Sequence, residues 1–202
     1  MRKKDDIEVL IKRFGQLYSE ELGIDLKSKK WSEIFKWFLA ALLFGKPIGE
    51  SIVKKTYKKF ADAGLITPEK ILSAGWDRLV EILDEGGYVR YDFSTADKLL
   101  EVMEVLKNYP LEKIYKDAKN SKDLERILMD IRGIGPVTVN IFLRELRHIL
   151  PKADPEFSPF VNLAAKRLKI DLNKYDRHTE KFVRLEVALL RLGKVWAHKK
   201  KL

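Results

Sequence analysis

The chain has no cysteine, only three histidines and a single glutamine, Gln16, among its 202 residues. Without thiols it has no disulfides, no thiolate-held zinc and no cysteine-ligated iron–sulfur cluster. Three histidines (His148, His178 and His198) are too few to suggest a zinc site, so neither a metal nor a cofactor is expected. Long apolar runs are missing too. The most apolar stretch, Ile34 to Phe44, is interrupted by Lys36 and is too short to span a bilayer. The opening Met-Arg-Lys-Lys-Asp-Asp lacks the apolar region of a signal peptide, so the expectation is a soluble, cytoplasmic protein with no membrane partner. No segment sustains the alternation of a half-buried strand, and no repeat of fixed period occurs. The fold class read from this is all-α.

What is present is charge. Lys and Arg total 40 against 30 Asp and Glu, a net charge of +10, which favours a polyanionic partner. Charged residues make up 35 % of the chain; together with the scarcity of glutamine this suits a thermophilic source.

Helical periodicity runs through nearly every segment. Ile7, Leu10, Ile11, Phe14 and Leu17 or Tyr18 share one face, and Trp31, Ile34, Phe35, Phe38, Leu39 and Leu42 share another. A break at Phe44-Gly-Lys-Pro-Ile-Gly49 precedes a basic helix from Glu50 to Ala63, with Lys54, Lys55, Lys58 and Lys59 on one face. Thr67-Pro68 reads as a cap and first-turn proline, and Gly75 separates two short helices. Glu85 to Phe93 reads as a loop, with Ser94 capping the helix that follows. A last helix is expected over Thr179–Leu192, with a basic tail beyond it.

Ile131-Arg-Gly-Ile-Gly-Pro-Val-Thr-Val-Asn140 is the most informative stretch. A helix capped by Ser121, with Leu124, Ile127, Leu128 and Ile131 on its apolar face, leads into Gly133 and Gly135. These glycines allow positive φ and close approach. Pro136 fits the first turn of the next helix, whose N-terminal amides then offer an anion site suited to a nucleic-acid phosphate.

Taken in order, these segments resemble the helix-hairpin-helix (HhH-GPD) DNA glycosylase superfamily, of the endonuclease III type, from about Trp31 to Gly193. Leu42–Gly49 resembles the loop that enters the duplex beside the target base. Gly86-Gly-Tyr-Val-Arg-Tyr91 with Ala96-Asp-Lys-Leu99 resembles the glycine–tyrosine segment before a lysine-bearing helix. Gly133–Asn140 resembles the hairpin, and Ala165–Leu168 and Arg191–Gly193 the later helices.

The resemblance implies a two-lobed helical fold. Residues 1–30 would be an N-terminal helix packing with the C-terminal helices, and 31–193 the glycosylase-like domain. That domain would hold a six-helix lobe over about 31–135 and the hairpin over 121–149, and 194–202 would be a basic tail. It also implies a monomeric base-excision protein that flips a damaged or mismatched base from duplex DNA and hydrolyses its N-glycosidic bond through an oxocarbenium-like sugar. Gly133, Gly135, Val137, Thr138, Lys46 and Arg90 would then contact DNA, and Tyr88 and Tyr91 would line the base pocket. Phe93 offers a third ring.

The chain departs from the family at two chemical positions. The lysine of bifunctional members, two residues after the second hairpin glycine, is here Val137, so no lyase step of the usual kind is expected. Lys152 and Lys166 match no motif. Alignment by the following helix puts Ser158 at the family aspartate, whereas alignment by distance from the hairpin puts Asp154 or Pro155 there. Asp154 is the candidate catalytic carboxylate, with Glu156 the second choice. Asp154-Pro155 and Ser158-Pro159 equally have the pattern of helix caps. The competing readings are a catalytically inactive DNA-binding relative and a helical protein-interaction module.

Overall fold

The computed structural model describes residues 3–198, and among them every regular element is helical. The α-helices are α1 (Lys3–Phe14), α2 (Tyr18–Glu21), α3 (Trp31–Phe44), α4 (Glu50–Asp62), α5 (Pro68–Gly86), α6 (Asp92–Asn108), α7 (Leu111–Asp117), α8 (Ser121–Asp130), α9 (Pro136–Arg144), α10 (Pro159–Leu168) and α11 (Glu180–His198). Residues 199–202, the end of the predicted basic tail, lie outside the described residues. The part of that tail that is described continues α11, which extends beyond the predicted end at Leu192.

The apolar α3 is the central element. It packs against α4, α7 and α9, and its residues Ile34 and Trp37 to Leu43 are almost wholly buried. The indole N–H of Trp37 donates to the Phe142 carbonyl at 2.9 Å, and Phe38 meets Phe142 edge-on at 5.0 Å. A buried indole needs such a partner, and this one locks α9 onto the core. α4, α5 and α6 pack in succession. Elsewhere α1 packs on α11, and α11 on α10. Gly193 makes the last contact possible: a Cβ there would lie 2.0 Å from the Phe160 carbonyl oxygen.

Several local expectations hold in the fold. Thr67 caps α5 by accepting from the Lys70 amide, and Gly75 (φ 75°, ψ 171°) breaks that helix as its position predicts. Others shift. The predicted loop over Glu85–Phe93 is shorter at both ends, because α5 continues to Gly86 and α6 starts at Asp92. Ser94 lies inside the first turn of α6, not at its cap, and its hydroxyl donates to the Tyr91 carbonyl. Asp97, three residues on, accepts from the Trp76 indole at 2.8 Å. Asn120, one residue before Ser121, caps α8 by accepting from the Asp123 amide.

The basic face of α4 is partly neutralised. Lys54 pairs with Glu21 at 2.6 Å and Lys59 with Glu85 at 3.0 Å.

Candidate nucleic-acid interface

The hairpin between α8 and α9 is closed by an Ile134 amide to Ile131 carbonyl bond of 3.0 Å, with Gly133 at φ 92°. That φ lies in the left-handed region, where an L side chain is strained. Gly135 is the extended N-cap of α9 and Pro136 opens the helix, so the amides of its first turn lack intrahelical acceptors. Val137 stands at the exposed tip, 59 % accessible.

Two other segments meet this hairpin. The loop after α3 touches it through Gly45, where a Cβ would fall 2.3 Å from the Thr138 hydroxyl. The Thr138 side chain is therefore an interior contact between α9 and that loop. This corrects its reading as a DNA ligand: the whole residue is only 3 % exposed. From α6, the stem of Lys98 lies against Gly133, where a Cβ would come within 2.9 Å of Cγ.

The glycine–tyrosine turn adds cations. Gly87 terminates α5 in a left-handed conformation (φ 95°) and leads into Tyr88. The Lys46 ammonium sits over the Tyr91 ring at 5.6 Å, and the exposed Arg90 guanidinium lies 5.5 Å from the same ring. Tyr91 is half-buried, so part of its ring stays accessible. Phe93 is exposed beside Trp76, with ring centroids 5.2 Å apart.

Tyr88 is different. It is fully buried, and its hydroxyl donates to the Leu43 carbonyl at the end of α3. Burial drives its hydroxyl pKa well above the ordinary tyrosine value. It is a core residue that ties the turn to α3, which corrects its assignment to a base pocket.

The predicted carboxylates lie on the segment between α9 and α10. No helix starts at Pro155, so Asp154 caps nothing. Its Oδ1 pairs with Arg147 and, at 3.0 Å, with Arg177. Arg147 is wholly buried and also donates to Glu186 at 2.9 Å and to the Pro155 carbonyl. Burial raises the Glu186 pKa while Arg147 opposes that shift. Arg177 donates to the Pro155 carbonyl at 2.8 Å, and its guanidinium lies 4.4 Å from the Phe157 ring centroid. Asn140 of α9 donates to the Glu156 carbonyl at 2.6 Å, tying the hairpin's second helix to this loop. The Glu156 carboxylate is 78 % exposed and pairs with Lys122 at 3.3 Å. Its carboxylate is thus held in solvent by a surface ion pair. Ser158 caps α10 by accepting from the Val161 amide.

Neither Lys152 nor Lys166 stands in for the amine missing at Val137. Lys152 donates to the carbonyls of Tyr115, Lys116 and Ala118, and Lys166 is exposed on α10.

Two clefts of about 290 and 210 Å³ lie elsewhere, one between α1 and the chain after α10, the other between α3, the start of α5 and α7. Neither is lined by Asp154, Tyr91 or the hairpin.

No protein-family model, curated protein or solved structure matches this chain.

Proposed function

We propose that this protein is a duplex-DNA-binding protein of the HhH-GPD glycosylase type, acting in base excision. The observation that carries the reading is the meeting of three segments at one edge: the glycine hairpin, the Gly45–Gly49 loop and the Gly87–Tyr91 turn. The open amides of α9 suit a backbone phosphate. Lys46, Arg90 and Lys98 add positive charge around them, and the accessible part of Tyr91 offers a surface for an unstacked base.

In the hydrolytic version of this function, Asp154 stabilises the positive sugar that forms as the glycosidic bond breaks. Two arginines already occupy one of its oxygens. That arrangement favours a second reading, in which the protein binds DNA without hydrolysing the bond.

One experiment separates these readings. The protein is titrated with matched, mismatched and lesion-bearing duplexes over a salt series, then incubated with the same duplexes and treated with alkali. About three phosphate contacts should weaken binding roughly tenfold or more between about 50 and about 200 mM salt. Alkali-dependent cleavage that is lost in Asp154→Asn supports hydrolysis. Salt-sensitive binding with no cleavage supports the second reading, and a flat salt response sinks both.

A further inference from the structure

Charge is unevenly distributed along the chain. Residues 76–104, the second half of α5 and most of α6, hold eight carboxylates against three cations, whereas the whole chain carries a net +10. Some of these acids are neutralised within the fold. Arg78 pairs with Glu81 and Glu85, and Arg132 of the hairpin with Glu101. Asp77, Asp84, Asp92, Asp97 and Glu104 form no ion pair among the described residues. The other two cations of the segment are directed elsewhere, Arg90 to the Tyr91 ring and Lys98 to Gly133. Asp84 and Asp92 meet each other instead. Desolvation, then the hydrogen bond between the two carboxyls, raises the Asp84 pKa. An incoming cation would relieve that repulsion.

Two large rings stand open among these acids. Gly75 breaks α5 directly before Trp76, and Phe93 lies in the first turn of α6. Phe93 is 58 % exposed and Trp76 38 %, and their ring planes are inclined at 39°. One turn beyond Phe93, Asp97 accepts the Trp76 indole N–H, which holds the carboxylate beside the rings. A single exposed apolar side chain is ordinary. Adjoining rings fixed against each other and rimmed by unpaired acids mark a contact surface.

We propose that Trp76, Phe93, Asp92 and Asp97 form a docking surface for an arginine-bearing segment of another protein. Charge complementarity selects this occupant. Uncompensated carboxylates repel phosphate, so these rings do not suit a nucleic-acid strand. A guanidinium stacks flat on an open ring, and its fork of N–H groups reaches a carboxylate alongside. A lysine ammonium offers a point charge without that planar match. The surface uses neither the hairpin amides nor the cations beside them, so it stands independently of the DNA-binding reading.

The test is fluorescence anisotropy with a labelled oligoarginine peptide, with oligolysine and oligoglutamate peptides for comparison. The molecule as a whole repels a cationic probe, so binding reports a local acidic face. Oligoarginine should bind, oligolysine more weakly and oligoglutamate not at this face. Phe93→Ser removes the open ring, and Asp97→Asn keeps an acceptor for the Trp76 indole while removing the charge. Each should weaken oligoarginine binding about tenfold and retain the circular dichroism of the parent. Glu112→Gln, which removes a carboxylate on α7, should leave binding unchanged.

No binding of oligoarginine overturns the proposal. So does binding that Phe93→Ser and Asp97→Asn leave undiminished, or that Glu112→Gln weakens equally. Loss of duplex-DNA binding in Phe93→Ser, with peptide binding intact, overturns it in favour of base stacking on the rings.

Discussion

Gly133 carries two separate constraints, a positive φ and the Lys98 stem. A left-handed backbone at a non-glycine residue costs roughly 1–2 kcal/mol, so Gly133→Ala should lower the unfolding free energy read from urea melts by at least that much. The steric part should vanish in a Lys98→Ala background while the backbone part remains. A double-mutant cycle on urea melts separates the two. The residue scale is also where sequence reading was least reliable. Tyr88 and Tyr91 are equally aromatic in sequence, yet one is sealed against Leu43 and the other is partly open beside Lys46 and Arg90. Asp154-Pro155 and Ser158-Pro159 share a capping pattern, yet only the second begins a helix. The difference lies in Arg147 and Arg177, which hold Asp154 from outside its own segment. A local motif does not contain such a partner.

At the scale of the element, helix type and order were legible because the 3.6-residue apolar period is strong and glycine and proline mark the breaks. Boundaries were less so. Ser94 was expected to cap α6, but the helix starts three residues earlier, with Tyr91 at its N-cap. This predicts opposite outcomes for two serines. Ser158→Ala removes an acceptor for the Val161 amide and should cost about 1 kcal/mol. Ser94→Ala removes a hydroxyl on the helix surface and should change stability by less than about 0.5 kcal/mol. Urea denaturation of the two variants distinguishes them. In the sequence Lys98 is one lysine of the helix after the glycine–tyrosine turn; its contact with Gly133 and its proximity to Lys46 come only from the placing of α6 beside the hairpin.

At the scale of the whole molecule, the two ends of the described chain are joined through polar contacts as well as apolar ones. Arg184 of α11 binds Glu20 and Glu180, and also donates to the Gly15 carbonyl. Its hydrogen bonds lower the pKa of both glutamates. A depressed carboxylate contributes stability above the ordinary glutamate value near 4.5 and loses it as pH falls through the lowered values. Arg184→Met should therefore flatten the loss of stability below about pH 4.5. Chemical denaturation across that range checks it. The net charge of +10 was the one whole-molecule property that pointed toward a partner. It did not reveal that Lys54, Lys59, Arg147 and Arg184 are engaged by carboxylates within the fold, leaving Lys46, Arg90 and Lys98 around the hairpin edge.

Lys152 ties together two parts of the chain that are far apart in sequence. Its ammonium donates to the carbonyls of Tyr115, Lys116 and Ala118, so the end of α7 is completed by a residue that follows α9. Closing that separation costs chain entropy before any contact is gained. The carbonyls at the end of α7 therefore gain this donor only once the segment behind α9 has docked, which couples local order at the two places.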